Sequence, residues 1–260
     1  MTSHSALREQ TTMLAGVPAL ATSVGSPELA AERGTVLVLH GLTASKEAQH
    51  LDSRSLAERG YLAVALDAFG HGERRYIDFD ARFSDADPDR SERNFFQVVQ
   101  QSAEELPIVL EAMATRGWAH PGRVGAFGIS MGGFILFGAV AARCRLDAVA
   151  TIVASPVWRL GERSPHEQLG RFFPTPLLMV TGADDPVVPP GDARELHAQL
   201  VPRYEKAPER LRYLEHAGEG HMFSKPVWDQ TWGEVCGWFD RFLVAPAAPE
   251  VPDEHDDEGR

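Results

Sequence analysis

The chain has 260 residues, enough for one α/β domain or two small ones and for a large core. Hydrophobic residues make up 43% and charged residues 24%, the balance expected of an ordinary soluble globular protein. The net charge is −12; six acids and one arginine within 245–260 supply −5 of it, and the remaining −7 argues against nucleic acid or an anionic membrane as partner.

No targeting segment is read at MTSHSALREQ, which lacks a basic stretch followed by a long apolar core. No apolar run approaches about 18 residues, so no spanning helix is expected and the cytoplasm is the expected location. Within the N-terminal segment 1–33, MLAGVPALATSVG (13–25) is expected to form a short edge hairpin. A strand follows at 35–40 (TVLVLH), then a helix at about 46–59 and a strand at 61–67 (YLAVALD). Residues 72–94 show no clear period and read as a loop. Next come a helix at 95–117, a strand at 123–129 (RVGAFGI), a helix at 131–144 and a strand at 148–155 (AVATIVAS). A second unperiodic loop covers 158–175. The chain then alternates strand 176–182 (PLLMVTG), helix 191–204, strand 211–216 (LRYLEH) and helix 227–243. The tail 245–260 is rich in proline and acids and is expected to be disordered.

Apolar strands alternating with longer helical patterns predict βαβ units and a mostly parallel sheet with helices on both faces. There is no internal repeat. Cys144 and Cys236 lie in apolar runs that read as helices and are expected as buried thiols, not a disulfide framework.

Ser130 sits between Gly128 and Gly132, after a strand and before an apolar helix rich in small residues. A serine on such a strand–turn–helix corner is a candidate nucleophile, because flanking glycines let strand and helix approach closely. The helix N-terminus there favours developing negative charge. An activated serine needs a base, and the base needs an orienting group. VTGADDPVVPP ends a strand in Asp184 and Asp185, and YLEHAGEGHMF ends another with His221 in a glycine-flanked loop. Asp185 precedes Pro186, which holds it extended, so of the two Asp185 is the favoured orienting acid and Asp184 the one expected to organise the turn. An oxyanion hole is expected from the amides of Met131 and Leu42, the latter in LHGLTASKE after the first parallel strand. His40 reads as a buried structural histidine. His71, Glu73 and Arg74 read as a turning, salt-bridging loop instead of a metal site, and no phosphate loop or dinucleotide fingerprint occurs. Tyr76, Trp158, Phe172 and Phe173 lie in the two long loops after strand ends, so they are expected to wall the substrate pocket.

LHGLTASKE, ALDAFGHGERR, GISMGG, GADDPVVP and GEGHMF, in that order over about 35–243, resemble the α/β-hydrolase superfamily. Within it, GISMGG and DAFGHGERR look most like dienelactone-hydrolase-like and prolyl-oligopeptidase-like single-domain esterases. The resemblance implies one catalytic domain over 1–244 with a short cap, and hydrolysis of small-molecule carboxylic esters through an acyl-serine. It implies Ser130, Asp185 and His221 as the triad, with no metal or organic cofactor. Dienelactone hydrolases proper carry cysteine where this chain has Ser130, and prolyl oligopeptidases carry a propeller domain. The same triad also serves thioesterases and peptidases, and the fold also supports silent binding proteins.

Overall fold

The computed structural model describes residues 6–84, 86–159 and 164–243; the tail at 245–260 lies outside the described residues. Among them, eight strands form one sheet: β1 (Leu7–Leu14), β2 (Val17–Val24), β3 (Thr35–Leu39), β4 (Leu62–Leu66), β5 (Val124–Ile129), β6 (Ala148–Ile152), β7 (Leu177–Gly182) and β8 (Leu211–His216). Their order is β1-β2-β4-β3-β5-β6-β7-β8. From β4 to β8 in that order every pairing is parallel; β1–β2 and β2–β4 are antiparallel. The helices are α1 (Pro27–Arg33), α2 (His50–Glu58), α3 (Phe79–Arg82), α4 (Pro88–Thr115), α5 (Met131–Ala141), α6 (Gly191–Leu200) and α7 (Lys225–Phe242). None of the described helices is long and apolar enough to cross a membrane.

β3, β4, β6 and β7 are buried at every residue, as strands covered on both faces must be. Side chains alternate between two cores. Leu37 and Leu39 point to the face packed by α4 and α5, whereas Val36 and Val38 point to the face packed by α2 and α7. Cys144 and Cys236 are free and buried in different cores, on opposite faces of the sheet. Burial pushes both thiols up to about 11, so neither is a ready nucleophile at neutral pH.

Several boundaries differ from expectation. The hairpin is longer, 7–24, because β1 is a solvent-facing edge strand with no apolar pattern to read. Helix α1 was not expected; Ser26 accepts from the Leu29 amide and Pro27 opens the helix. Helix α4 starts at Pro88, inside the expected loop, where the Asp87 carboxylate accepts from the Arg90 amide. Its first turns face solvent and carry no apolar period. Cys144 lies past the end of α5, and the expected helix over 191–204 changes to 3-10 geometry at 201–204, around Pro202. What matters for function is the shared polarity: β3, β5, β7 and β8 all deliver their C-terminal ends to one edge of the sheet.

Candidate active site

Ser130 joins β5 to α5 with φ 51 and ψ −119, a left-handed conformation that costs a residue with a Cβ about 1–3 kcal/mol. The surroundings enforce it. The Ser130 amide donates to Ile152 O at 2.8 Å, extending the β5–β6 ladder. The Ser130 carbonyl accepts from the Gly133 and Phe134 amides at 2.8 and 3.1 Å and so starts α5. A Cβ on Gly128 would strike the backbone of Gly132, and a Cβ on Gly132 would strike the Leu39 carbonyl. Only glycine at both positions lets β5, β3 and α5 meet this closely.

Ser130 Oγ lies 3.0 Å from His221 Nε2, and His221 Nδ1 lies 2.7 Å from Asp185 Oδ2. The Asp185 side chain is fully buried and its other oxygen, Oδ1, accepts from the Val187 and Val188 amides at 2.8 and 2.9 Å. Asp184 is exposed. Its amide, not its carboxylate, matters: it donates to Glu219 O at 2.9 Å and ties the acid loop to the histidine loop. The Glu219 carboxylate accepts from both the amide and hydroxyl of Ser224 at 2.6 Å, closing the loop that carries His221.

The 40–46 loop is clamped to the end of β4. His40, buried, holds Gly41 O at 2.8 Å through Nδ1 and accepts from the Ala68 amide at 3.0 Å through Nε2. This fixes the neutral tautomer with its proton on Nδ1. Lys46 is buried beside Asp67, which accepts from the Lys46 amide at 2.8 Å and from its ammonium at 3.2 Å. Desolvation opposes the Lys46 charge, but Glu73, Glu47 and Asp67 together raise its pKa above the usual lysine value. Among the described residues, neither the Leu42 nor the Met131 amide donates to a protein acceptor, so both are free for a ligand oxygen. Glu73 bonds to Lys46 at 2.7 Å and Arg74 forks onto Glu105 at 2.8 and 2.6 Å, as expected of a salt-bridging loop. No cluster of metal-ligating side chains occurs among the described residues.

His71 is fully buried, with Nδ1 donating to Phe69 O at 2.9 Å and Nε2 unpartnered among aromatic rings. Burial, opposed by the Phe69 hydrogen bond, lowers its pKa from 6.5 to about 4. The unfolded chain therefore binds this proton first as pH falls. Its contribution to stability is complete above about 6.5 and is lost progressively toward 4, in total about 3 kcal/mol. Urea unfolding between pH 7 and 5 should accordingly show a shallower pH slope in His71→Phe than in the native chain, by about 1 kcal/mol per unit. Equal slopes would contradict this.

A cleft of about 1050 Å³ opens over Ser130 and His221. One lobe is walled by Phe95, Phe96 and Phe134, whose rings meet edge to face. The other lobe is walled by Gln49, Asp52, Phe223 and Trp228. Val153 also lines it, with φ 46, a strained conformation for a β-branched residue and a mark of a functional site. The four expected pocket residues are not in its wall. Trp158 fills the space over Gly138 of α5, where no side chain competes. Phe172 is fully buried and its carbonyl accepts from the Tyr204 hydroxyl at 2.9 Å; Phe173 packs edge to face on Tyr204. Tyr76 packs on Phe69 and Gly70 under the Arg82 guanidinium. The 164–175 part of the second loop turns down along α5, away from the cleft. The true wall had a signal: Phe134 is four residues past Ser130, on the same helix face, and Phe95 and Phe96 open an expected helix.

Residues 30–174 match the model of the family described as serine aminopeptidase, S33. YitV of Bacillus subtilis, an esterase by provisional name, is 25% identical over 238 residues, 80% of this chain and 89% of that protein. Esterase YjfP of Escherichia coli is 26% identical over 192 residues, 64% of this chain and 74% of that one. Among solved structures, TT1662 from Thermus thermophilus superimposes with a TM-score of 0.75 at 25% identity, over 90% of this chain and 99% of that one.

Proposed function

The chain belongs to the serine aminopeptidase S33 family of α/β-hydrolases, and from this membership we propose that it is a serine esterase acting on small carboxylic esters through an acyl-enzyme on Ser130. The observation that carries this reading is the continuous hydrogen-bonded line from Ser130 Oγ through the His221 ring to Asp185. The esterase names of YitV and YjfP support the choice of ester over amide.

In this mechanism His221 Nε2 takes the Ser130 proton as Oγ attacks the ester carbonyl. The free amides of Leu42 and Met131 donate hydrogen bonds to the oxyanion. Asp185 keeps Nδ1 protonated and stabilises the imidazolium. His221 then gives its proton to the leaving alcohol, activates a water, and the acid is released with Ser130 restored. We assign this machinery to one domain over 1–244, with residues 245–260 outside it. Truncation after Leu243 is expected to leave kcat and Tm nearly unchanged; a large fall in Tm would show that the tail docks.

The direct test is turnover of p-nitrophenyl esters of increasing acyl length, with fluorophosphonate labelling of the same sample. Turnover above the uncatalysed rate, abolished in proportion to labelling, is the expected result. The family description favours a second reading, an exopeptidase. Faster turnover of aminoacyl p-nitroanilides than of the matching esters would establish that reading instead.

A further inference from the structure

The two lobes of the cleft lie on opposite faces of the sheet and differ in chemistry. Phe96 and Phe134 belong to the core packed by α4 and α5, whereas Phe223 and Trp228 pack on the core of α2 and α7. The second lobe also carries the wall that follows His221 in sequence, Met222 and Phe223. Since His221 protonates the departing oxygen, the leaving alcohol extends along this wall, and the acyl group takes the aromatic lobe.

The second lobe presents a carboxylate without a cationic partner and an unpaired acceptor oxygen. Gln49 and Asp52 stand one helical turn apart on one face of the α2 start, and both line the cleft. The Gln49 side-chain oxygen is buried with no hydrogen-bond partner. Leaving such an oxygen unpaired costs about 1–3 kcal/mol, so it is a ready acceptor for a donor entering the cleft. Asp52 is half-buried, and among the described residues no lysine or arginine lies within ion-pair distance of it. Lys225, which also lines the cleft, is held by Asp229 at 2.6 Å. Burial pushes the Asp52 carboxyl up to about 6, against the lowering effects of His50 and Trp228. It is still ionised at neutral pH, as a carboxylate in a cleft without its counter-ion. Trp228, which also lines this lobe, hydrogen-bonds to the Asp52 carboxylate through its side chain and so holds the anion in the wall.

A carboxylate without a counter-ion and an unpaired acceptor oxygen, one helical turn apart in one lobe, form a receptor for a protonated amine. We propose that the substrate's leaving alcohol carries an ammonium group, recognised by Asp52 and Gln49, so that the enzyme hydrolyses esters of amino alcohols. This rests on the esterase reading above. The acidic chain, at −12 overall, draws the same class of substrate toward the cleft.

The test uses two esters of one acid and one shape, 2-(dimethylamino)ethyl phenylacetate and 3-methylbutyl phenylacetate, followed by acid release at neutral pH. The first carries the charge and the second does not. Asp52→Asn should lower the ratio of their kcat/KM values by about tenfold or more. An unchanged ratio, with both rates falling together, is what a merely structural Asp52 would give and overturns the proposal. A second measurement needs no variant. In the native enzyme, 2-(dimethylamino)ethanol should inhibit p-nitrophenyl ester turnover about tenfold more tightly than 3-methylbutan-1-ol. Equal inhibition by the two alcohols overturns amine recognition while leaving the esterase reading intact. Absence of any turnover of p-nitrophenyl esters overturns the esterase reading itself.

Discussion

Ser130→Ala is expected to fold normally and to lose about 10⁴–10⁶ in kcat, the loss seen when a triad nucleophile is removed. The fold should survive because everything that holds the corner is backbone. The Ser130 amide still donates to Ile152 O, and its carbonyl still receives Gly133 and Phe134. Alanine keeps the Cβ, so the left-handed strain at φ 51 is unchanged. Only the hydroxyl 3.0 Å from His221 Nε2 disappears. The measurement is single-turnover and steady-state hydrolysis on purified protein whose Tm matches the native enzyme. More than about a tenth of native activity in the variant would show that the reaction does not pass through Ser130. Loss of fluorophosphonate labelling in the same variant separates an absent nucleophile from a misassembled site.

The parallel strands β3 to β7 were readable because each is a short, mainly apolar run bounded by turn residues and covered on both faces. The candidate triad was legible because Ser130, Asp185 and His221 each stand just past a strand end, and the structure brings the three within hydrogen-bonding distance. Helix α1, strand β1 and the first turns of α4 were less legible for one reason: they face solvent, and local caps such as Ser26 and Asp87 define them more than hydrophobic period. The pocket wall was misread for another. Aromatic residues in long loops were assigned to the nearest cleft, but a helix of small residues, α5, leaves surface that must be covered. Trp158 covers it at Gly138, and Phe172 is drawn into the same core. A sequence shows which side chains are large and apolar; it does not show which of two empty surfaces they will fill. The buried clamp of Lys46 and Asp67 was missed because a lysine in a polar loop reads as exposed until its partner, more than twenty residues on, is brought beside it.

Asp185→Asn is expected to leave the fold intact and lower kcat by up to about 10⁴, whereas Asp184→Asn should cost far less. The adjacent acids are separated by their environments. Asp185 is buried, with Oδ2 on His221 Nδ1 and Oδ1 capped by the Val187 and Val188 amides. Those two amides require an acceptor at Oδ1, so an asparagine is held with its oxygen there and its NH₂ toward His221. An amide donor at that point forces Nδ1 to act as acceptor, which moves the ring proton to Nε2. The ring then cannot accept the Ser130 proton, and this loss comes from tautomer, not from displacement. Asp184 has no such part. Its carboxylate is exposed, and the bond that anchors the loop, from its amide to Glu219 O, is unaffected by a side-chain change. The kinetic signature follows from this difference. Asp185→Asn should lower kcat with little change in KM, because the cleft walls are untouched. Raising the pH should not restore it, since the fault is the position of a proton on a neutral ring. A large loss in Asp184→Asn with a small one in Asp185→Asn would transfer the orienting role to Asp184 and contradict the buried hydrogen-bond geometry.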